Sequence, residues 1–191
     1  MANFRPGLSF IEIMLVLALL AVVGLMVVPN FLKRAPLAQR KAFIGTLNTV
    51  ARQAWVQSLE TGQAYKIIFN LAQRTIEMEK KTTKIDHDGN PVFEKVFIDG
   101  VPPKYRWPEH LEIKQFFIEG VDEIAQHSAS SAMEDVWFFV IPEGMAQEVI
   151  INLIDIKDTH YVFDGQEISL VLNPFRVQFD VYEEFQNIAS V

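Results

Sequence analysis

From Leu8 to Val28 the chain is apolar at every position except Ser9, Glu12 and the small Gly24. A helical run of about 20 such residues is roughly 30 Å long, the thickness of a bilayer's hydrocarbon core. The pattern predicts a single membrane-spanning helix. Beyond Pro29-Asn30-Phe31 a helical period resumes, with Phe43, Ile44, Leu47, Val50, Ala51 and Ala54 on one stripe and Arg40, Lys41, Asn48, Arg52 and Gln53 mostly off it. That stripe is expected to pack on the chain's own sheet, with Trp55 in the core. Pro29 and Pro36 are expected to kink the helix, because each lacks an N–H and crowds the preceding turn. A stop is predicted near Leu59 to Thr61, with Gly62 as a left-handed cap.

From Ala64 the period changes to two. Tyr65, Ile67 and Phe69, then Ile76 and Met78, predict a hairpin turning through Leu71 to Gln73. A polar turn at Asp86 to Pro91 precedes a short strand from Val92 to Ile98, stopped by Asp99-Gly100. Val101 to Pro108, with three prolines, is expected to be an extended connector; Leu111 to Ile118 a strand; and Glu119 to Asp135 a long loop. Val136 to Ile141 is apolar throughout and predicts a central strand buried on both faces. Turns at Pro142-Glu143-Gly144, Asp164-Gly165 and Asn173-Pro174 separate strands at Val149 to Ile156 and Ile168 to Leu172. A last, half-buried strand near an edge has Phe175, Val177, Phe179 and Val181 on its inner side.

Glu12 is the anomaly in the apolar stretch. On insertion scales a carboxylate costs up to about 3 kcal/mol at mid-bilayer, and each Leu, Ile, Val or Phe returns roughly 0.3 to 0.6 kcal/mol. The apolar residues between Leu8 and Val28 together outweigh that cost, so the helix inserts and still carries its acid.

Arg5-Pro6-Gly7, Leu8-Ser9-Phe10-Ile11-Glu12 and the apolar run ending at Pro29-Asn30-Phe31 together resemble the processing site and helix of type IV pilins and type II secretion pseudopilins. The resemblance implies a leader, residues 1–7, cut between Gly7 and Leu8 by a prepilin peptidase, with the new Leu8 amine then N-methylated. Most members carry Phe where this chain has Leu8. It also implies that Glu12 is an assembly residue, pairing with the amine of a neighbouring subunit. Physical chemistry agrees: an amine at Leu8 and a carboxylate at Glu12 lie one helical turn apart on one face, and in an apolar phase each is costly unless paired. The C-terminal pattern Phe138-Phe139-Val140-Ile141-Pro142-Glu143-Gly144, with the strand from Ile168 to Pro174, is similar to that of the H-type minor pseudopilins. Phe175-Arg176 stands where a threonine-glycine is common.

Composition narrows the class further. The 191 residues carry seventeen basic and twenty-four acidic side chains, a net charge of −7, and loss of the leader with Arg5 would leave the chain more acidic still. An acidic domain is a poor match for nucleic acid. There is no cysteine, so packing alone holds the fold. The flanking charges, Arg5 on one side and Lys33, Arg34, Arg40 and Lys41 on the other, would by themselves place the globular domain in the cytoplasm. The resemblance places it in the periplasm, and the more specific signal decides.

Little in the sequence points to catalysis or metal binding. His87, His110, His127 and His160 lack the spacing of a metal pair. Asp86, Asp88 and Asn90 fail the calcium-loop register, since counting back from Gly89 puts Lys84 at the first ligand position; a tight Asp-Gly turn is expected there, and the resemblance implies a calcium site of another kind near Asp86 and Asp88 as the alternative. Ser128, Ser130 and Ser131 beside His127 form no nucleophile motif. No enzyme activity, cofactor or metal is expected.

The expectation is therefore an α+β protein in which a long N-terminal hydrophobic helix packs on a C-terminal antiparallel β-sheet domain. Its parts would be a leader (1–7), a transmembrane and filament-core helix (8–29), an amphipathic continuation (30–61) and a periplasmic β-rich domain (62–191). The implied role is a minor pseudopilin of the type II secretion pseudopilus in the inner membrane, aiding export of folded proteins. Its implied partners are the major and other minor pseudopilins, the prepilin peptidase and the inner-membrane secretion platform. The alternative is a minor pilin of a type IV pilus.

Overall fold

The computed structural model describes residues 10–97, 103–127, 135–156 and 165–187, without the side chains of 23–35 and 127. The chain divides into two compact units, residues 1–38 and 39–191, and the division falls inside a helix. That helix, α1, runs from Phe10 to Thr61 and passes through both Pro29 and Pro36. It ends as its sequence predicts: Gly62 takes φ 64° and its N–H donates to Ser58 O at 2.9 Å.

The β body has two antiparallel sheets. The first comprises β1 (Tyr65–Asn70), β2 (Thr75–Ile85), β3 (Pro91–Lys95), β4 (Tyr105–Arg106), β7 (Asp135–Ile141) and β8 (Met145–Ala146), in the order β3-β2-β1-β7-β8, with β4 also on β2. The second comprises β5 (Leu111–Ile118), β6 (Val121–Asp122), β9 (Val149–Asp155), β10 (Gln166–Asn173) and β11 (Gln178–Tyr182), in the order β11-β10-β9-β5-β6. Their inner faces meet through aromatic rings: Phe69 lies 5.1 Å from Phe116, and Phe138 lies 6.2 Å from Phe179. Phe43, Leu47, Val50, Ala51 and Ala54 of α1 are buried in the same cluster, so the predicted stripe packs on the chain's own sheets.

Four expectations need correction. The stretch from Val101 to Pro108 is paired at Tyr105–Arg106, which bond to β2 as β4. The loop expected after Ile118 contains β6 and a short helix, α2 (Glu123–His127). Glu119 at φ 48° and Gly120 at φ 90° make a two-residue hairpin turn with both central residues left-handed, which returns the chain antiparallel to β5. Asp122 then accepts the backbone N–H of Ile124 at 3.1 Å and of Ala125 at 3.3 Å, capping α2.

Nor is β7 buried on both faces, as the apolar run predicted. Val136, Phe138 and Val140 point inward, but Trp137 on the other face is 42 % exposed. On that face Lys66 Nζ lies 4.5 Å from the centre of the Trp137 ring and 5.3 Å from that of Phe93. The strands buried on both faces are β9 and β10. Part of their outer face is closed by the segment at Gln186: Asn152 Nδ2 donates to Gln186 O at 2.9 Å, and Gln186 N donates to Ser169 Oγ at 3.3 Å.

Last, the alternation expected from Phe175 to Val181 holds only at Val177 and Phe179; Phe175 is 71 % exposed and Val181 is also exposed. Asn173 Oδ1 accepts the N–H of Phe175 at 3.1 Å and of Arg176 at 3.0 Å, so these residues belong to a turn and the strand begins at Gln178. The edge position predicted for this strand is the one observed.

Candidate assembly site

The described part of the apolar stretch, residues 10–22, is rich in Leu, Met and Ala, residues that lose little on entering a helix. Successive residues of a helix are about 100° apart, and every residue from Phe10 to Val22 is exposed. Every side of this segment is therefore exposed. Phe10 is 79 % exposed and Leu15 65 %. A helix that is apolar all round belongs in a membrane or among other chains. Among the described residues no helix is long and apolar enough to cross a membrane, and of the predicted span only 10–22 contribute described side chains.

Glu12 stands in the first turn of α1, exposed, the single charge among residues 10–22. Gly7 and Leu8, the predicted cleavage and methylation positions, lie outside the described residues. Pro29 and Pro36 are both helical, and Pro36 is half-buried.

Within the unit 39–191, polar contacts fasten α1 to the sheets at three levels. Arg40 Nη1 donates to Gln166 Oε1 at 2.5 Å and lies 3.6 Å from Asp155 Oδ2. Asp155 is buried, and His110 Nε2, buried without a hydrogen bond among the described residues, lies 3.8 Å from its Oδ1. In the middle, Phe179 N donates to Asn48 Oδ1 at 2.7 Å and Asn48 Nδ2 donates to Phe179 O at 3.3 Å, so one side chain satisfies both outward groups of an edge strand. Near the end, Trp55 Nε1 donates to Gly144 O at 2.9 Å and Ser58 Oγ to Ile141 O at 3.3 Å. Arg40 and Asn48 thus belong to the packed side of α1, contrary to the sequence reading. The signal was present for Arg40, which stands three residues before Phe43 and seven before Leu47 and so continues their stripe. For Asp155 the signal was its alternation with Val149, Ile151 and Leu153 on the inner face of β9.

The titratable groups weighed for other chemistry are dispersed. His87 is exposed in the turn after β2, His110 is buried, and the side chain of His127, His160 and all three candidate serines lie outside the described residues. Among the described residues no group of three or more His, Cys, Asp or Glu is placed to hold a metal ion. Asp86 Oδ1 accepts the N–H of Asn90 at 2.8 Å and of Asp88 at 2.9 Å. The Asn90 N–H above all, with that of Asp88, holds the carboxyl below the usual carboxylate range. This is the geometry of an Asx turn, with Gly89 at φ 86°. Glu77 is likewise held low, chiefly by its hydrogen bond to Lys95, with Lys104 Nζ 3.3 Å from its other oxygen.

No family profile and no curated protein matches the chain. Among solved structures, two of the minor pseudopilin EpsH from the type II secretion system of Vibrio cholerae are similar. The first has a TM-score of 0.48 and 10 % identity and covers 75 % of this chain and 95 % of its own. The second has a TM-score of 0.48 and 12 % identity and covers 78 % of this chain and 98 % of its own. The functional reading rests on the residues of this chain.

Proposed function

We propose that the chain is a membrane-anchored minor pseudopilin of a type II secretion system, a structural subunit rather than an enzyme. The observation that supports it most is the segment Phe10–Val22, apolar and exposed on every side with Glu12 its single charge, followed in the same helix by a stripe packed on a two-sheet body. Such a helix needs an apolar phase on all sides, and such a carboxylate needs a cationic partner there. In this reading the leader 1–7 is removed after Gly7, the Leu8 amine is methylated, the helix is held in the inner membrane and then among neighbouring subunits, and the β body lies in the periplasm. Its partners are the major and other minor pseudopilins, the prepilin peptidase and the inner-membrane secretion platform.

The rival is a minor pilin of a type IV pilus. Its DNA-binding version is opposed by charge: from Ser169 onward Arg176 is the sole basic residue, against Asp180, Glu183 and Glu184. Two measurements test the proposal. Intact mass of the membrane-extracted chain should lack residues 1–7 in peptidase-competent cells and retain them in a peptidase deletion; retention in both contradicts it. Deleting the chain should abolish secretion of folded exoproteins with surface pili intact, whereas loss of pili with intact secretion selects the rival.

A further inference from the structure

The turn from Asn173 to Gln178 and the exposed flank of α1 border an open cleft of about 200 Å³ lined by Asn48, Thr49, Arg52, Arg176, Val177 and Gln178. In a chain of net charge −7 this cleft carries two guanidinium groups and no lining acid. Arg176 Nη2 donates to Asp180 Oδ2 at 2.9 Å in an exposed pair, which leaves most of its five N–H donors unspent. Arg52 has no ion pair or side-chain hydrogen bond among the described residues.

The walls are fixed from both sides. Asn48 holds Phe179 by its N–H and its carbonyl. Across the cleft, Asn173 Oδ1 holds the N–H groups of Phe175 and Arg176, and Val177 N donates to Asn173 O at 2.9 Å. Val177 pays for this turn with φ 47°, a left-handed conformation that a β-branched residue rarely takes, and its buried side chain keeps it there. Backbone strain of this kind gathers at ligand clamps.

We infer that this cleft receives a carboxylate-bearing segment of another protein subunit, with Arg52 and Arg176 as the recognising groups. Planar guanidinium forks match a carboxylate in two-point hydrogen bonds. A polyanion such as nucleic acid would lay many charges over a chain of net charge −7, whereas a single Asp or Glu brought in on a neighbour can meet the two guanidinium groups alone. That the occupant is a neighbouring filament subunit rests on the function proposed above.

The test places a photo-cross-linking residue at Gln178 of the full chain in its own membranes, with Glu94 on β3 as the control position. The inference predicts a cross-link from position 178 that maps, by mass spectrometry, beside an Asp or Glu of another subunit. Its yield should fall at least fivefold in Arg52→Glu/Arg176→Glu and persist in Arg52→Lys/Arg176→Lys, with the unfolding temperature unchanged in both. No cross-link, a yield indifferent to the charge reversal, or a cross-link mapped to lipid, nucleic acid or a segment without a carboxylate overturns it. If the cleft fails while Glu12→Ala still weakens contacts made by α1, the inference alone is lost and the subunit reading stands.

Discussion

The ion cluster joining α1 to the second sheet shows how much one buried charge depends on its partners. Asp155 is buried, and Arg40 faces it at 3.6 Å with its side chain 15 % exposed. Removing Arg40 takes a cationic partner from that buried carboxylate. Arg40→Ala should therefore lower stability by about 3 kcal/mol, seen as an earlier unfolding transition of the detergent-solubilised chain; a change within ~0.5 kcal/mol, the usual effect of a surface substitution, would show that Asp155 is neutralised by other means. Glu77 gives the pH counterpart. Its carboxyl, held by Lys95, titrates below the ordinary 4.5, so in that window the unfolded chain binds the proton more readily than the folded one. Glu77 thus contributes stability that is present above the ordinary value and is lost as pH falls through the lowered one. Unfolding measured between pH 6 and pH 3 should show a shallower acid loss for Glu77→Gln than for the parent chain.

At the scale of elements, α1 combines two helices of different purpose. Its residues from Phe43 to Ala54 bury one stripe in the core, and its residues 10–22 expose every side. Leu47→Ala, at a fully buried position, should cost about 2 to 5 kcal/mol. Leu15→Ala, at an exposed one, should leave the unfolding of the β body unchanged; equal losses at the two positions would contradict the division. Much of this was legible in the sequence because the periods are clean: the stripe, the stop at Gly62, the hairpin of β1 and β2, the span of β5 and the edge place of β11 all follow from them. What was not legible depends on tertiary cover. Val136 to Ile141 and Val149 to Ile156 are both largely apolar runs, and among the described residues the segment at Gln186, held by Asn152 and Ser169, covers part of the outer side of β9, whereas Trp137 on the outer side of β7 is exposed. Asn48 was equally hidden, because its role exists only once β11 presents an unpaired edge. The Glu119-Gly120 turn was missed because glutamate is an unusual residue at a positive φ.

In the whole molecule an acidic two-sheet body follows, in one chain, a helical segment whose residues 10–22 are apolar and exposed apart from the charge of Glu12. The chain's net charge of −7 predicts that the full chain in detergent will not shift duplex DNA at low salt; tight, salt-sensitive binding would favour the pilin rival. Glu12 is the lone charge of residues 10–22. Glu12→Ala should leave membrane insertion intact, since removing a charge from an apolar helix favours the bilayer. Cleavage after Gly7 should continue as well. Under the proposed pairing, docking beside another subunit should fail, because the neighbour's amine would be left buried and unpartnered at a cost of about 3 to 5 kcal/mol. The direct measurement is in-cell cross-linking of α1 to other pilin-like subunits, compared for the parent chain and Glu12→Ala at equal membrane levels. These cross-links should be lost, and secretion should fall with them. Undiminished cross-linking with full secretion would contradict the assembly role and leave Glu12 as a charge the helix merely tolerates.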